Sequence, residues 1–596
     1  MNEPNDHTID TETESAESLS ETPAAPAAAE AANALFAAVC PDAAAVAVPF
    51  VVRLFQAQAD GHAFVWTNQK EREQLSGCLP LVGGAGGDAP LVLDGRRLFF
   101  RRVWQLERDL AGEIWRLSSA RVPQPSDDTL RRLHEWFDDV GSRDQQAAAA
   151  LTLHSSFTLI SGGPGTGKTT TVAKLLALLC GSAAVAPRIA LAAPTGKAAA
   201  RMTEALHRAA SAIPNLPDSV RQKLASLEGR TVHRLLSLRP PQMRPQYGAA
   251  RPLDTQVLVL DEASMLDSCL LWQLLCALET GCRVILLGDG NQLPSVGAGA
   301  VLPSLTAAPP LPPEESAALH RLLPPDSRPE WGRGWVRLRQ SHRFGADSAV
   351  GALAQAVASG DAAAAVAAFA RFPKQLARHE RQPENAARTL YRAQADYWQA
   401  VDSGDAAAAF AQQSNIVVLT ALRGDAQAFN QTYRRLLQRH GRPTDARWFA
   451  GQILMVSRND TAQWLYNGDI GIVLPAAPAQ QQADENGNGS TEALAVWFAD
   501  GRGGYRSIPP GRLPAHEDAF AITVHKSQGS EYREVWLLDA ADTVCVASRA
   551  LLYTALTRAR KSFAYWGSLE RFEAACKRQE IRRSALAGFL RQIKAA

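Results

Sequence analysis

The sequence predicts an α/β protein with two α/β domains, and three observations carry that prediction. Four apolar runs, FTLISGG, RIALAAPTGKAAARM, QVLVLDEASM and CRVILLGDGNQLPS, each end in small or polar residues. Buried parallel strands read this way, with functional loops at their carboxyl ends. The pattern returns late in the chain as NIVVLTALRGD, EVWLLDAAD and KSFAYWGS. The length, 596 residues, is too great for one hydrophobic core and suggests three or four domains.

Taken in order, residues 1–34 are Glu, Ser, Thr, Pro and Ala, and read as a disordered acidic tail. Residues 35–138 mix strand-like and amphipathic pieces around a GGAGGD loop and read as a small N-terminal domain. The first strand–turn–helix series fills 139–347. An Ala-rich stretch, 348–412, reads as helix, a spacer packing on either domain. The second series occupies 413–596, interrupted at about 446–517 by alternating apolar residues with NGD and DGRGG turns, a small all-β insert. Within it, QQQADENGNGS at 480–490 reads as a mobile hairpin tip.

Composition bounds the class. Hydrophobic residues make up 46% and charged residues 20%, ordinary for a globular soluble chain. No apolar run reaches the roughly 18–20 residues of a membrane span, and the N-terminus has no secretory pattern. The net charge is +2, yet the first 35 residues carry eight acids and no Lys or Arg, leaving +10 on the rest. That suits a polyanionic partner without demanding one. The eight cysteines form no CxxC pair and read as buried thiols of a reducing cytoplasm; the histidines show no zinc spacing.

The chemistry begins at Gly162, Gly163, Pro164, Gly165, Thr166, Gly167, Lys168 and Thr169, which fit G-x-x-x-x-G-K-T between a strand and a helix. Glycines let the backbone approach phosphate, and the helix N-terminus favours the anion. Lys168 should reach the β- and γ-phosphates of ATP, and Thr169 should ligate Mg²⁺, with Thr170 beside it. Asp261 and Glu262 end the strand VLVL 92 residues after Thr169. There Asp261 would hold Mg²⁺ through water, and Glu262 would orient and deprotonate the attacking water. Gln292 in GDGNQLPSV could report the γ-phosphate to neighbouring loops. Arg343 in LRQSHRF and Arg558 in LLYTALTRAR could supply transition-state charge from the second domain.

Together, SGGPGTGKTTTVAKLL, APTGKAAARM, TVHRLL, VLVLDEASM, GDGNQLPSVGAG, LRQSHRF, TALRGD, NGDIGIVL, TVHKSQGSEY and LLYTALTRAR, in this order, resemble the superfamily 1 helicases of the RecD family, the alpha subunit of exonuclease V. The resemblance runs from about Asp144 to the C-terminus. It implies two RecA-like P-loop NTPase domains, with an SH3-like β insert in the second and a duplex-splitting pin at about 237–254. It implies an ATP-dependent motor moving 5′ to 3′ on single-stranded DNA and acting on duplex ends. In the RecBCD complex, such a motor serves double-strand break repair by homologous recombination. The partners implied are RecB and RecC, with RecC docked on the N-terminal domain.

The resemblance also assigns residues. Gln145 matches a glutamine that reads the adenine edge, and Arg343 and Arg558 match arginines that contact the γ-phosphate. Gln528 and Gly529 of TVHKSQGSEY would turn toward the nucleotide. Thr523, His525 and Ser527, with Pro194, Thr195, Thr231 and His233, would face the DNA backbone; for the histidines, a core or capping role is the alternative. Trp464 and Tyr466 could stack on bases or fill the insert's core, and core packing is favoured. Free-standing RecD-like helicases and ATPase switch subunits remain alternative readings. The former carry helix-hairpin-helix repeats not seen in this N-terminal region, which favours the subunit form.

Overall fold

The computed structural model describes residues 24–182, 185–238, 244–345, 348–460, 462–476, 494–500, 503–541 and 547–595. The chain divides into two compact units, Met1–Gln105 and Leu106–Ala596.

In the smaller unit two helices, Ala24–Val39 and Pro41–Ala59, precede the strands β1 (Val65–Trp66), β2 (Val82–Gly83), β3 (Leu91–Asp94) and β4 (Arg97–Phe100). The sheet order is β1-β4-β3-β2. Phe36, Val51, Leu54, Leu75, Leu91 and Leu98 form its core. Two boundaries differ from the sequence reading. Residues 24–34 are helical, because the Ala-rich run favours helix and continues into apolar Leu35-Phe36; residues 1–23 lie outside the described residues. The smaller unit ends at Gln105, not at 138. Beyond it, Arg116 donates to the carbonyls of Leu275 and Leu278, each at 3.0 Å. Leu133 and Trp136 are buried in the core of the next domain.

That domain is built on β5 (Phe157–Gly162), β6 (Ile189–Ala193), β7 (Gly229–Thr231), β8 (Val257–Leu260), β9 (Arg283–Gly288), β10 (Glu330–Gly332) and β11 (Trp335–Leu338). The order is β10-β11-β5-β9-β8-β6-β7, and every pairing except β10 with β11 is parallel. Every residue of β5, β8 and β9 is buried, which is why these runs lack alternation. Because β5, β9 and β8 are neighbours, the loops leaving their carboxyl ends emerge side by side.

The second sheet starts with β12 (Leu376–His379) and β13 (Ile416–Thr420). Five strands then form a separate antiparallel sheet: β14 (Ile453–Val456), β15 (Ile470–Pro475), β16 (Leu494–Ala499), β17 (Tyr505–Ile508) and β18 (His516–Asp518), in the order β17-β16-β15-β14-β18. Its core holds Leu454, Val456, Leu465, Val473, Val496, Phe498 and Ile508. The hairpin expected at 480–490 lies outside the described residues. The strands β19 (Ala521–Thr523), β20 (Tyr532–Leu538) and β21 (Ala559–Trp566) complete an all-parallel sheet, order β12-β21-β20-β13-β19.

The Ala-rich stretch is not a spacer. It supplies β12, and Val350, Leu353, Leu390, Tyr397 and Trp398 are buried in the second domain's core. The polar sequence of β12, LARH, hides it from an apolar-run search, because it is a short edge strand buried at Leu376 and exposed at Arg378 and His379. After β21 the chain returns to the first domain. Arg582 donates to the carbonyls of Ser295 (2.6 Å) and Gly297 (2.8 Å), and the Ala585 amide donates to Glu107 (2.8 Å). Among the described residues no helix is long and apolar enough to cross a membrane.

Candidate nucleotide site and DNA track

The loop after β5 turns on Gly165 (φ +74°) and Gly167 (φ +80°), a conformation side chains disfavour. It opens the helix Lys168–Ser182, so amides and the helix N-terminus face one point. Lys168 Nζ donates to the carbonyls of Gly162 (2.5 Å) and Gly163 (3.0 Å). A cavity of about 270 Å³ adjoins this loop. Pro164, Gly165, Gly167, Lys168, Thr169 and Thr170 line it from the first domain, with Asp261, Glu262, Asp289 and Gln292. From the second domain come Gly529, Glu531, Thr557 and Arg558.

The two acids follow β8 directly. Glu262 holds a left-handed backbone, φ 51° and ψ 42°, rare for a residue with a side chain and a mark of functional positions. Its amide donates to Asp261 Oδ1 at 2.8 Å. Burial pushes the Asp261 carboxyl up to about 6, with Glu262 adding to the rise and Lys168 opposing it. Gln292 donates to Asp289 at 3.4 Å, and its Oε1 is buried without a partner. Hard oxygen donors, a phosphate-cradling loop and this orphaned acceptor fit a magnesium nucleotide.

The arginines divide differently than expected. Arg558, 3% exposed, comes from the second domain and donates to the carbonyls of Thr554 (3.2 Å) and Ser530 (3.4 Å). Arg343 does not come from that domain: its segment follows β11 of the first sheet and rests on the P-loop. The His342 amide donates to Gly165 O at 2.8 Å, and Ser341 Oγ to Pro164 O at 3.2 Å. LRQSHRF reads as an isolated polar motif, so sequence gives no hint that β11 pairs in parallel with β5. Arg343 still spans the cleft, donating to Ala559 O (3.2 Å) and pairing with Glu531 (2.9 Å). Burial, then the charges of Arg201, Arg560 and Arg558, pull Arg343 down to about 10.

Other predicted residues fall as follows. Gln145 is buried against Gly167, donating to Thr166 O (3.2 Å) and meeting His342 Nε2 (3.0 Å); it does not line the cavity. Gln528 is buried, its amide 3.5 Å from Leu293 O of the first domain, while Gly529 (φ +72°) lines the cavity and faces Ala198. Thr195 and Thr231 cap the helices Gly196–Ser211 and Val232–Leu235. Pro194 and Thr195 are half-buried beside them, and burial lowers the His233 imidazole. His525 is exposed.

Two of the expected DNA contacts have their hydroxyls engaged within the protein. Ser527 is fully buried and donates to Val524 O (2.7 Å); Thr523 is buried, its hydroxyl accepting from the Lys526 amide (3.4 Å). Both hydroxyls serve the turn that ends β19. Core packing of Trp464 is corrected. It is 64% exposed at φ 52°, and Leu465 is the residue the insert buries. Tyr466 leaves that core too: its ring packs over Gly196, and Arg234 donates to its hydroxyl at 3.1 Å. The Arg234 guanidinium lies 5.7 Å from both ring centres. The alternation of apolar residues before the NGD turn suggests a packed Trp464, whereas its positive φ turns the chain there. In the expected pin, Gly248 and Arg251 bond each other reciprocally at 3.0 Å, and residues 239–243 lie outside the described residues.

The sequence reading missed Arg201, Asp289, Glu531 and Tyr553. All four lie inside quoted motifs, but only the fold shows that they converge. Among the described residues no cluster of three or more His, Cys, Asp or Glu could hold a metal.

The AAA domain family matches residues 145–298, and the UvrD-like helicase C-terminal domain matches 518–563. The RecBCD enzyme subunit RecD of Mycolicibacterium smegmatis is 36% identical, over 85% of this chain and 84% of its own. The chain belongs to the RecD family. Its RecD relative in Haemophilus influenzae is 31% identical over 85% of this chain and 82% of its own. The ATP-dependent RecD2 DNA helicase of Deinococcus radiodurans is 30% identical, over 72% of this chain and 49% of its own. Among solved structures, Bacteroides Pif1 bound to ssDNA is 17% identical, covering 77% of this chain and 98% of its own, with a TM-score of 0.39. The α/β architecture of this RecD family member is that of a superfamily 1 helicase with two RecA-like domains.

Proposed function

We propose that this RecD family helicase hydrolyses ATP to move 5′ to 3′ along single-stranded DNA. On this reading it opens duplex ends as a motor subunit beside RecB and RecC and serves recombinational break repair. The observation that carries the reading is the cavity between the two parallel sheets. The P-loop and the acid pair line one wall, and Arg558 lines the other.

Lys168 and the loop amides hold the β- and γ-phosphates. Thr169 and Asp261 would hold Mg²⁺, which when bound neutralises charge on the phosphates. Glu262 orients a water in line with the γ-phosphate and takes its proton. Gln292 Oε1 accepts from that water or a neighbouring one. Arg343 and Arg558 stabilise charge spreading over the transferring phosphoryl group. Gln145, against the P-loop, reads the adenine edge. Pro194, Thr195, Thr231, His233 and His525 meet the DNA backbone, where contacts position without reading sequence. ATP drives motion only through its different affinities for open and closed clefts. The likeness to the RecD subunit, 36% over 85% of this chain against 30% over 72% for RecD2, supports the subunit form over the free-standing one.

The test uses the chain with RecB and RecC and two partial duplexes, one 5′-tailed and one 3′-tailed, in ATP and Mg²⁺. RecB carrying a disabled P-loop isolates this motor. Unwinding of the 5′-tailed duplex alone, lost in Lys168→Gln, is expected. Unwinding from the 3′ tail, or turnover retained in Lys168→Gln, overturns the reading.

A further inference from the structure

Glu531 stands where several arginines converge. Its carboxylate pairs with Arg201, with Arg343 at 2.9 Å and with Arg560 at 3.0 Å. These come from three places: the helix Gly196–Ser211, the segment after β11, and the start of β21. The Glu531 side chain is 15% exposed, so water screens these pairs only partly. One carboxylate is shared by three guanidinium groups, and Arg558 lies beside them. The cavity lining as a whole is balanced, Lys168, Arg201, Arg343 and Arg558 against Asp261, Glu262, Asp289 and Glu531, but the guanidinium groups gather around Glu531, and that end of the cleft suits a polyanion. Glu531, Arg201 and Arg343 all line the nucleotide cavity, whereas Arg560 does not. Arg201 also lies within the electrostatic reach of Asp261 and Glu262, between the acid pair and Glu531.

We propose that Glu531 is a competing counter-ion of the nucleotide site: it holds Arg201 and Arg343, and the phosphates of ATP take those two arginines from it. Arg201 is thereby a further phosphate-binding residue, contributed by the first domain, and Glu531 is a positioning residue. The inference rests on the ATP reading above. Carboxylate and phosphate offer a guanidinium the same bidentate geometry, so one can replace the other without moving the arginine stems far. Competition weakens the affinity for ATP and ties its binding to release of a pair that bridges the cleft.

The test is equilibrium binding of a fluorescent mant-ATP to the full chain and its variants. Glu531→Gln keeps the shape and removes the charge. It should bind mant-ATP about twofold to fivefold more tightly, the range of a partly screened pair. Glu531→Asp should stay near wild type. Arg201→Ala should bind more weakly, and in that background Glu531→Gln should gain less, because the two share one interaction. Unchanged or weaker binding in a folded Glu531→Gln chain overturns the proposal, as does a strictly additive pair. Should Glu531→Gln fail to fold, unchanged binding in Arg201→Ala overturns it alone. Wild-type chain that binds mant-ATP but never hydrolyses ATP with DNA would overturn the ATPase reading, and the binding shifts would still decide this one.

Discussion

The Tyr553 hydroxyl donates to Asp289 Oδ2 across the cleft at 3.0 Å, and the same hydroxyl is what a side chain at Gly163 would strike. Tyr553 belongs to the second domain, and Asp289 and Gly163 to the first. Both partners are buried, and burial raises the Asp289 carboxyl. Tyr553→Phe removes one of its donors and leaves a buried acid less satisfied. A bond to a charged group is worth about 1.5–3 kcal/mol. The thermal midpoint of Tyr553→Phe should fall, and it should fall less in a Tyr553→Phe/Asp289→Asn pair than the single changes sum to. Strict additivity would mean that the contact carries nothing.

Glu262 sets stability against chemistry. Its left-handed backbone holds strain of about 1–2 kcal/mol, which glycine relieves. Glu262→Gly should therefore melt at or above the wild-type temperature and above Glu262→Ala, which keeps the strained backbone. Both should lose DNA-stimulated phosphate release by about a hundredfold or more, as expected for removal of a base and water-orienting group. Calorimetry and a phosphate-release assay on the same preparations check this.

Gly165 has no room for change. At φ +74° a side chain is strained, and its Cβ would collide with that of Arg343. Gly165→Ala should weaken ATP binding and slow turnover together, since the P-loop and the arginine segment move as one. Gly281 (φ +101°) meets nothing within 4 Å. Gly281→Ala should lower stability by about 1 kcal/mol and leave KM for ATP unchanged.

Two adjacent residues of the insert should behave oppositely. Leu465 is 1% exposed, and Leu465→Ala should cost about 2–5 kcal/mol in denaturant unfolding. Trp464, 64% exposed, should cost within about 0.5 kcal/mol when truncated. If its ring stacks on a base, Trp464→Ala should lower single-stranded DNA affinity about fivefold or more, measured by fluorescence anisotropy at fixed salt. A large stability loss with DNA affinity unchanged would return Trp464 to a packing role.

How legible the molecule was depends on how local each feature is. The P-loop is contiguous, flanked by an apolar strand and an apolar helix, so sequence shows its structure and its residues together. Asp261 and Glu262 end a strand with no polar residue, a local signal again. The edge strand β12 has no such run, and its partner β21 lies nearly two hundred residues away. Which sheet carries Arg343 depends on the pairing of β11 with β5, a long-range fact. Ser527 shows a different limit: its residue type suits DNA, but only the turn after β19 shows that its hydroxyl is spent on Val524. Glu531 reads as one acid among many until three arginines from distant segments arrive beside it.

The return of the chain to the first domain has a mechanical consequence. The second domain is tied to the first at both ends, through the Ser341-His342 segment on the P-loop from which it departs and through Arg582 and Ala585 where it comes back. A body fixed at two points can swing about the line joining them but cannot slide or lift away. With one end of that line covalent and the other held by hydrogen bonds, cleft closure would be chiefly a rotation about it. Atoms near the axis barely move, while those far from it sweep an arc proportional to their lever arm. The distance of a DNA contact from that line, rather than the size of the nucleotide's own displacement, then sets how far the strand is carried in each cycle.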